Sequence, residues 1–172
     1  MDNRRQRFEA QALPHLDAAY NLARWLARSE ADAQDIVQDA MLRALRAFDG
    51  VRSESVRPWL LAIVRNCWRS RMGDVARRKT DGGEALDGLP SDAAGPEAEA
   101  IQSSEARRLN LIMALLPDEF REVLVLREME DLSYQEIAAT LGIPIGTVMS
   151  RLARARASLR EKWAEGGNDE LR

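Results

Sequence analysis

One cysteine and one histidine are all that the 172 residues contain of the side chains that most often build disulfides, zinc sites and nucleophilic triads. Cys67 has no second thiol to oxidise onto, and with His15 as the only histidine no Cys/His zinc site can be assembled. No metal and no cofactor is expected. Long hydrophobic runs are also missing: nothing approaches the ~18 apolar residues a membrane span needs. Met1-Asp2-Asn3-Arg4-Arg5 leads into mixed polar sequence and not into the apolar core of a secretion signal. A cytoplasmic protein is the expectation. Aromatics are scarce at 5%, yet hydrophobic residues at 45% and charged residues at 31% give the balance of a folded chain.

Net positive charge is lacking too, since the sum is -3, but the charges are unevenly placed. Residues 1 to 79 hold 15 Lys/Arg against 10 Asp/Glu, whereas residues 80 to 105 hold 7 acids and no base. Within the remainder, Thr147 to Lys162 carries five basic residues against Glu161 alone. Two basic patches therefore flank an acidic stretch, and local patches, not the whole-chain sum, are what phosphate backbones attract.

The acidic stretch includes Gly82, Gly83, Gly88, Pro90, Gly95 and Pro96 and has few side chains able to anchor a core. It reads as a flexible linker over 80–100, with a first domain over 1–79, a second over 101–165 and a frayed tail over 166–172. In the first domain apolar residues recur with helical period at Leu16, Tyr20, Ala23 and Leu26, at Ile36, Val37, Ala40, Met41, Ala44, Leu45 and Phe48, and at Leu60, Ile63, Val64, Cys67 and Trp68. In the second, Leu109, Ile112 and Leu116 precede a helix that Pro117 is expected to begin at its first position. Ser133 and Glu136 form a capping-box pattern for a short helix stopped at Gly142, and a last helix runs from about Pro144 to about Trp163. No segment alternates as a strand. The expected fold is all-α, two small helical domains on a tether.

Three constellations carry chemistry. The first is the capped helix, glycine turn and second helix over 132–156, a helix-turn-helix pattern. On its second helix Val148, Leu152, Ala155 and Leu159 share one face, while Thr147, Ser150, Arg151 and Arg154 lie on another. Side chains near the start of such a helix meet base edges in the major groove, where arginine can grip guanine with two hydrogen bonds. Arg156 and Arg160 on the opposite flank suit phosphate or solvent. The alternative for all these arginines is a solvated helix face. The second is the helix from Trp59 to Arg71 followed by Arg77-Arg78-Lys79, where basic residues interleave with aromatics as a binder of unpaired bases requires, although tryptophans such as Trp59 and Trp68 are, taken alone, more often core than base platforms. The third is the polar face of Asp32, Asp35, Asp39 and Arg43 opposite Val37, Ala40, Met41 and Ala44. Carboxylates so spaced repel one another, so the face awaits a basic partner or is simply solvated.

In this order, with an acidic linker before the last, the three motifs closely resemble the extracytoplasmic-function sigma factors of the sigma-70 family, which give bacterial RNA polymerase its promoter specificity. Asp32 to Arg46 is similar to the family's region 2.2, which implies that Asp35, Gln38 and Asp39, with Arg43 on the same face, engage the clamp helices of the polymerase β' subunit. Trp59 to Asn66 resembles the start of the helix after the region 2 specificity loop. Residues Asp49 to Pro58, including Arg52, Ser53, Ser55 and Arg57, would then form the loop that captures a flipped base of the -10 element, with Arg65, Asn66 and Arg69 holding nearby DNA. Leu132 to Arg156 resembles region 4.2, implying -35 contacts from Thr147, Ser150, Arg151 and Arg154 and a phosphate contact from Arg127. The chain departs from the family's pattern at Val51-Arg52-Ser53, where many members have Phe-Arg-Gly, and at Met149, where a basic residue is common.

Such a factor performs no covalent chemistry, so no enzyme activity is expected. Some 20 extended linker residues at ~3.3 Å each reach ~65 Å, about two turns of duplex, so both promoter elements lie within reach. The implied partners are core RNA polymerase, through the β' clamp helices and the β flap, promoter DNA, and an anti-sigma protein as a further candidate. The acidic linker would mimic nucleic acid in the polymerase RNA channel or serve as a plain spacer. Two rivals are a sigma-like decoy that binds an anti-sigma protein but no promoter, and a stand-alone helix-turn-helix repressor. The first sits badly with the retained Arg65, Arg69, Arg151 and Arg154, the second with the Asp35 face.

Overall fold

The computed structural model of the chain describes residues 2–27, 29–52, 54, 56–80 and 103–169. Two compact units divide it, Met1–Ala93 and Ala94–Arg172. Every regular element among the described residues is helical, as the 3.6-residue periodicity of the apolar positions requires. The proposed linker segment, apart from Thr80, lies outside the described residues, as do Ser53 and Ser55.

In the first unit α1 (Asp2–Ala12) passes through a turn of 3-10 helix at Leu13–His15 into α2 (Leu16–Leu26), followed by α3 (Glu30–Ala47) and α4 (Val56–Thr80). Ser29 caps α3, its Oγ accepting from the Asp32 backbone N–H at 3.1 Å, and Glu30 and Asp32 add negative charge where the helix dipole favours it. The core is formed by Leu22 and Leu26 of α2, Ile36, Ala40 and Ala44 of α3, and Val56, Leu60, Leu61 and Val64 of α4, all buried. Small alanines on α3 let α2 and α4 approach closely.

Helix α1 was not anticipated. Its polar surface hides two anchors, Phe8 and Ala12, both buried, and Phe8 meets Phe48 edge-on at 5.4 Å between ring centroids. Arg4 donates to the Leu45 carbonyl at 2.8 Å and to the Arg46 carbonyl, satisfying orphan acceptors at the end of α3. Helix α4 begins at Val56, before Trp59, and continues through Arg77 and Arg78 to Thr80 as one helix. The specificity-loop stretch expected over Asp49 to Pro58 is shortened accordingly.

The second unit holds α5 (Ser104–Leu115), α6 (Asp118–Leu124), α7 (Tyr134–Leu141) and α8 (Ile145–Asp169). Pro117 is the N-cap of α6 and not its first residue, with φ -52° and ψ 146° in extended geometry. Arg121 reaches back from α6 to the Met113 and Leu116 carbonyls, both at 3.1 Å, closing the α5 terminus. Helix α6 widens into a π-helical turn over Val125–Met129. The last helix runs six residues beyond the expected stop at Trp163, so part of the expected frayed tail is helical. Buried Val123, Leu126, Leu132, Ile137, Val148 and Leu152 form the core.

Candidate nucleic-acid interface

The helix-turn-helix assembles as its sequence dictates. Ser133 Oγ accepts from the Glu136 N–H at 3.1 Å while Glu136 Oε2 accepts from the Ser133 N–H at 2.7 Å, a complete capping box that fixes the start of α7. Gly142 ends α7 with φ +66°, a left-handed conformation that costs glycine little. Ile143 N–H closes the turn on the Ala138 carbonyl at 3.1 Å, and the Thr147 and Val148 amides return to Pro144 O at 3.0 and 3.1 Å to open α8.

Helix α8 buries Val148, Leu152 and Ala155 and leaves Ser150 and Arg154 exposed, with Thr147 and Arg151 half-buried. The predicted reading face is thus brought together on one side of one helix. Ser150 Oγ donates to Thr147 O at 3.1 Å, so its oxygen keeps acceptor capacity toward solvent. Arg154 Nε contacts Ser150 O at 3.4 Å. Arg151 is more constrained than the sequence suggested: its Nε lies 3.7 Å from Glu119 Oε2 of α6, and its side chain is 20% exposed.

Two other arginines have intramolecular work. Arg127 donates to Leu132 O at 2.8 Å and lies over the Tyr134 ring, which braces the Asp131–Ser133 turn where Asp131 has φ +52°. Its half-buried guanidinium therefore belongs to the scaffold under the motif as much as to any phosphate. Arg156, read as a phosphate or solvent residue, donates to Glu128 at 2.8 Å, and that bond raises its pKa further above the ordinary range. It fastens α8 to the π-helical turn. Arg160 is exposed.

In the first unit, Asn66 and Arg69 of α4 are exposed, whereas Arg65 is only 8% exposed and lies among the helix contacts. Arg52 is exposed and Arg57 half-buried. Trp68 is buried and Trp59 half-buried with its ring 6.1 Å from that of Phe48, so both tryptophans contribute to packing. Burial raises the Cys67 thiol pKa, in keeping with a core role. His15 is half-buried, its pKa lowered by burial and then by the nearby Arg57 charge.

On α3, Asp35, Gln38, Asp39 and Arg43 all face solvent. Arg71 of α4, which the sequence placed in the basic-aromatic helix and not with the acids of α3, lies 3.3 Å from Asp35 and 3.7 Å from Asp32 and partly relieves their repulsion. Beside Gln38 an apolar groove of about 600 Å3 is lined by Phe8, Leu13, Leu16, Met41, Leu42 and Leu45, with Leu42 54% exposed. In the second unit Leu111 and Leu115 of α5 are 66% and 70% exposed beside a groove of about 530 Å3 that α8 helps to line. Exposed leucines at four-residue spacing make an apolar helix face that no element among the described residues covers. Among the described residues no His, Cys, Asp or Glu cluster is suited to a metal ion, and no helix is long and apolar enough to cross a membrane.

Comparison with known proteins matches residues 13–78 to the family description "Sigma-70 region 2" and residues 106–159 to "Sigma-70, region 4". The chain is 35% identical over 162 residues to the ECF RNA polymerase sigma factor SigE of Mycolicibacterium smegmatis, covering 90% of this chain and 61% of that protein. It is 35% identical over 141 residues to the ECF RNA polymerase sigma-E factor of Escherichia coli, covering 76% and 73% of the two. Among solved structures it resembles the sigma factor RpoE in complex with the anti-sigma factor NepR from Bartonella quintana, with a TM-score of 0.79, 28% identity and 95% and 98% of the chains covered. It also resembles CnrH in complex with the cytosolic domain of CnrY, with a TM-score of 0.64, 27% identity and 94% and 90% covered.

Proposed function

This chain belongs to the extracytoplasmic-function RNA polymerase sigma factors, and on that premise we propose that it binds core RNA polymerase and directs initiation by reading duplex -35 DNA and melted -10 DNA. The observation that carries the reading is the second helix of the helix-turn-helix. A complete capping box and a left-handed glycine aim its N-terminal half outward, with Thr147, Ser150, Arg151 and Arg154 on its outer side. Hydroxyl and guanidinium groups so placed are suited to the donor and acceptor code of the major groove.

The first unit supplies the complementary half. Exposed Asn66 and Arg69 on α4, with Arg52 in the preceding loop, offer donors to an unpaired strand, and capture of a flipped base offsets the few kcal/mol that unstacking costs. Joined in one chain, the two readers act at raised effective concentration, so affinity depends on the spacing of the elements as well as their sequence. Catalysis of RNA synthesis stays with the polymerase.

The acidic face of α3 and the apolar groove beside it form the surface for the β' clamp helices: Asp35 and Asp39 give charge, Leu42 and Met41 give area. The exposed Leu111 and Leu115 offer a landing site for the β flap. The two structural neighbours were solved with NepR and with the cytosolic domain of CnrY, and a comparable inhibitor is proposed to restrain this chain in turn.

The test is co-elution with core polymerase on size exclusion. Wild type is expected in the polymerase fraction and Asp35→Arg in the free fraction, because the substitution turns an acceptor into a second cation beside Arg71. Full polymerase recovery by Asp35→Arg rejects this interface.

A further inference from the structure

In a reader of duplex DNA every exposed arginine is attracted to all phosphates alike, so a helix selects sequence only if its arginines are steered toward base edges. Among the described residues, the predicted reader Arg151 lies beside a carboxylate carried by another helix, whereas Arg127 has its carboxylate, Asp131, only four residues away at 3.8 Å. Glu119 stands in the first turn of α6, where the helix dipole favours its charge, and its Oε2 lies 3.7 Å from Arg151 Nε. The contact joins two helices across the face of the unit. Its neighbour Asp118 pairs with Arg121, 3.1 Å away, which is occupied at the end of α5. The two adjacent acids therefore have different duties, one architectural and one directed at the reading helix.

We propose that Glu119 is a positioning residue that sets the sequence selectivity of the -35 reader by orienting the Arg151 guanidinium. This rests on the assignment of Arg151 to that reader. A carboxylate at the Nε side leaves the two terminal nitrogens to form the planar fork that matches guanine O6 and N7. The Arg151 side chain is half-buried, 20% exposed, which restricts it further. Glu119 itself is 54% exposed, close enough to repel a phosphate drawn to Arg151 without seating. Both effects act on discrimination: the first strengthens the correct contact, and the second weakens indiscriminate ones.

The experiment uses the full-length chain bound to core polymerase. A pool of duplexes randomised across the -35 region is selected with wild type, and the enriched duplex and its shuffled counterpart are then compared by fluorescence anisotropy over a salt series. Glu119→Gln is expected to bind the shuffled duplex more tightly and to lose roughly five- to tenfold in the ratio of selected to shuffled affinity, the lower end of what one arginine-base contact contributes. In an Arg151→Ala background Glu119→Gln should leave that ratio unchanged, because the coupling runs through Arg151. Asp118→Asn is the matched control and should not alter the ratio.

An unchanged ratio in Glu119→Gln overturns the proposal. So does an equal loss with and without Arg151, which would mean that Glu119 acts through general charge or folding. If wild type enriches no sequence at all, the -35 assignment itself falls and the proposal with it, an outcome distinguished by being visible before any variant is made.

Discussion

Replacing Ser133 with alanine removes one half of the capping box and leaves the other. The lost half is the Ser133 Oγ acceptor, 3.1 Å from the Glu136 N–H; the retained half is the Ser133 backbone N–H, still donating to Glu136 Oε2 at 2.7 Å. An N-cap substitution of this kind costs about 1 kcal/mol. A unit of this size has only about 3 to 10 kcal/mol to lose, so its midpoint should fall by roughly 4–8 °C. The cost is local because Leu132 and Ile137, either side of the cap, are both fully buried and hold the helix in place. Ser133→Asp, which restores a side-chain acceptor, should recover most of the loss. Thermal unfolding of the full chain gives the size of the effect, and amide hydrogen exchange resolved by peptide assigns it. Exchange should quicken over Tyr134–Leu141 and the start of α8 while the peptide from Leu60 to Trp68 keeps its protection. Equal loss of protection in that first-unit peptide, or an unshifted midpoint, refutes the reasoning.

Gly142→Ala should cost about 1 kcal/mol from left-handed backbone strain alone, since a Cβ there meets nothing within 4 Å. Gly146→Ala, in a helical conformation and equally open, should instead gain about 0.5 kcal/mol; denaturant midpoints of the two variants that move in the same direction would contradict this pairing. Trp68 Nε1 is buried and has no hydrogen-bond partner among the described residues. Trp68→Phe removes that unsatisfied donor along with part of the ring, so it should cost less than about 1.5 kcal/mol, against roughly 3–5 for Trp68→Ala. Chemical denaturation showing equal costs would contradict the reading of the indole N–H as an unsatisfied donor.

Much of this architecture was legible in the sequence because local physics decides it. Leu16 to Leu26, Ile36 to Phe48 and Leu60 to Trp68 have apolar stripes wide enough to show their period, and each lies on a helix, with Phe48 just past it as the C-cap of α3. Ser133, Glu136 and Gly142 announced both ends of α7 because caps are chemistry between residues a few positions apart. Helix α1 was missed because Phe8 and Ala12 are too few to make a pattern among its charges. The end of α8 was missed because Gly166 and Gly167 are poor helix formers. No spacing rule foretells the π-helical turn at Val125–Met129.

The candidate site divides in the same way. That Thr147, Ser150, Arg151 and Arg154 share a side of α8 follows from 100° per residue, and Asp35, Gln38, Asp39 and Arg43 share the exposed side of α3 for the same reason. Which arginines have internal partners does not follow, because those contacts join residues distant in sequence. Arg71 reaches across 36 positions to Asp35 and Arg156 across 28 to Glu128. Glu119 meets Arg151 only once α6 and α8 have packed. A solvated arginine and a pairing one are indistinguishable until the fold is formed.

The most direct measurement is run-off transcription by core RNA polymerase with and without this chain, on templates randomised across the whole upstream region. The account requires that starts appear only when the chain is added, and that the selected templates share two short conserved blocks separated by a fixed spacing, with Arg154→Ala relaxing the upstream block alone. Starts that are independent of the chain, or selected templates sharing no second block, would contradict it.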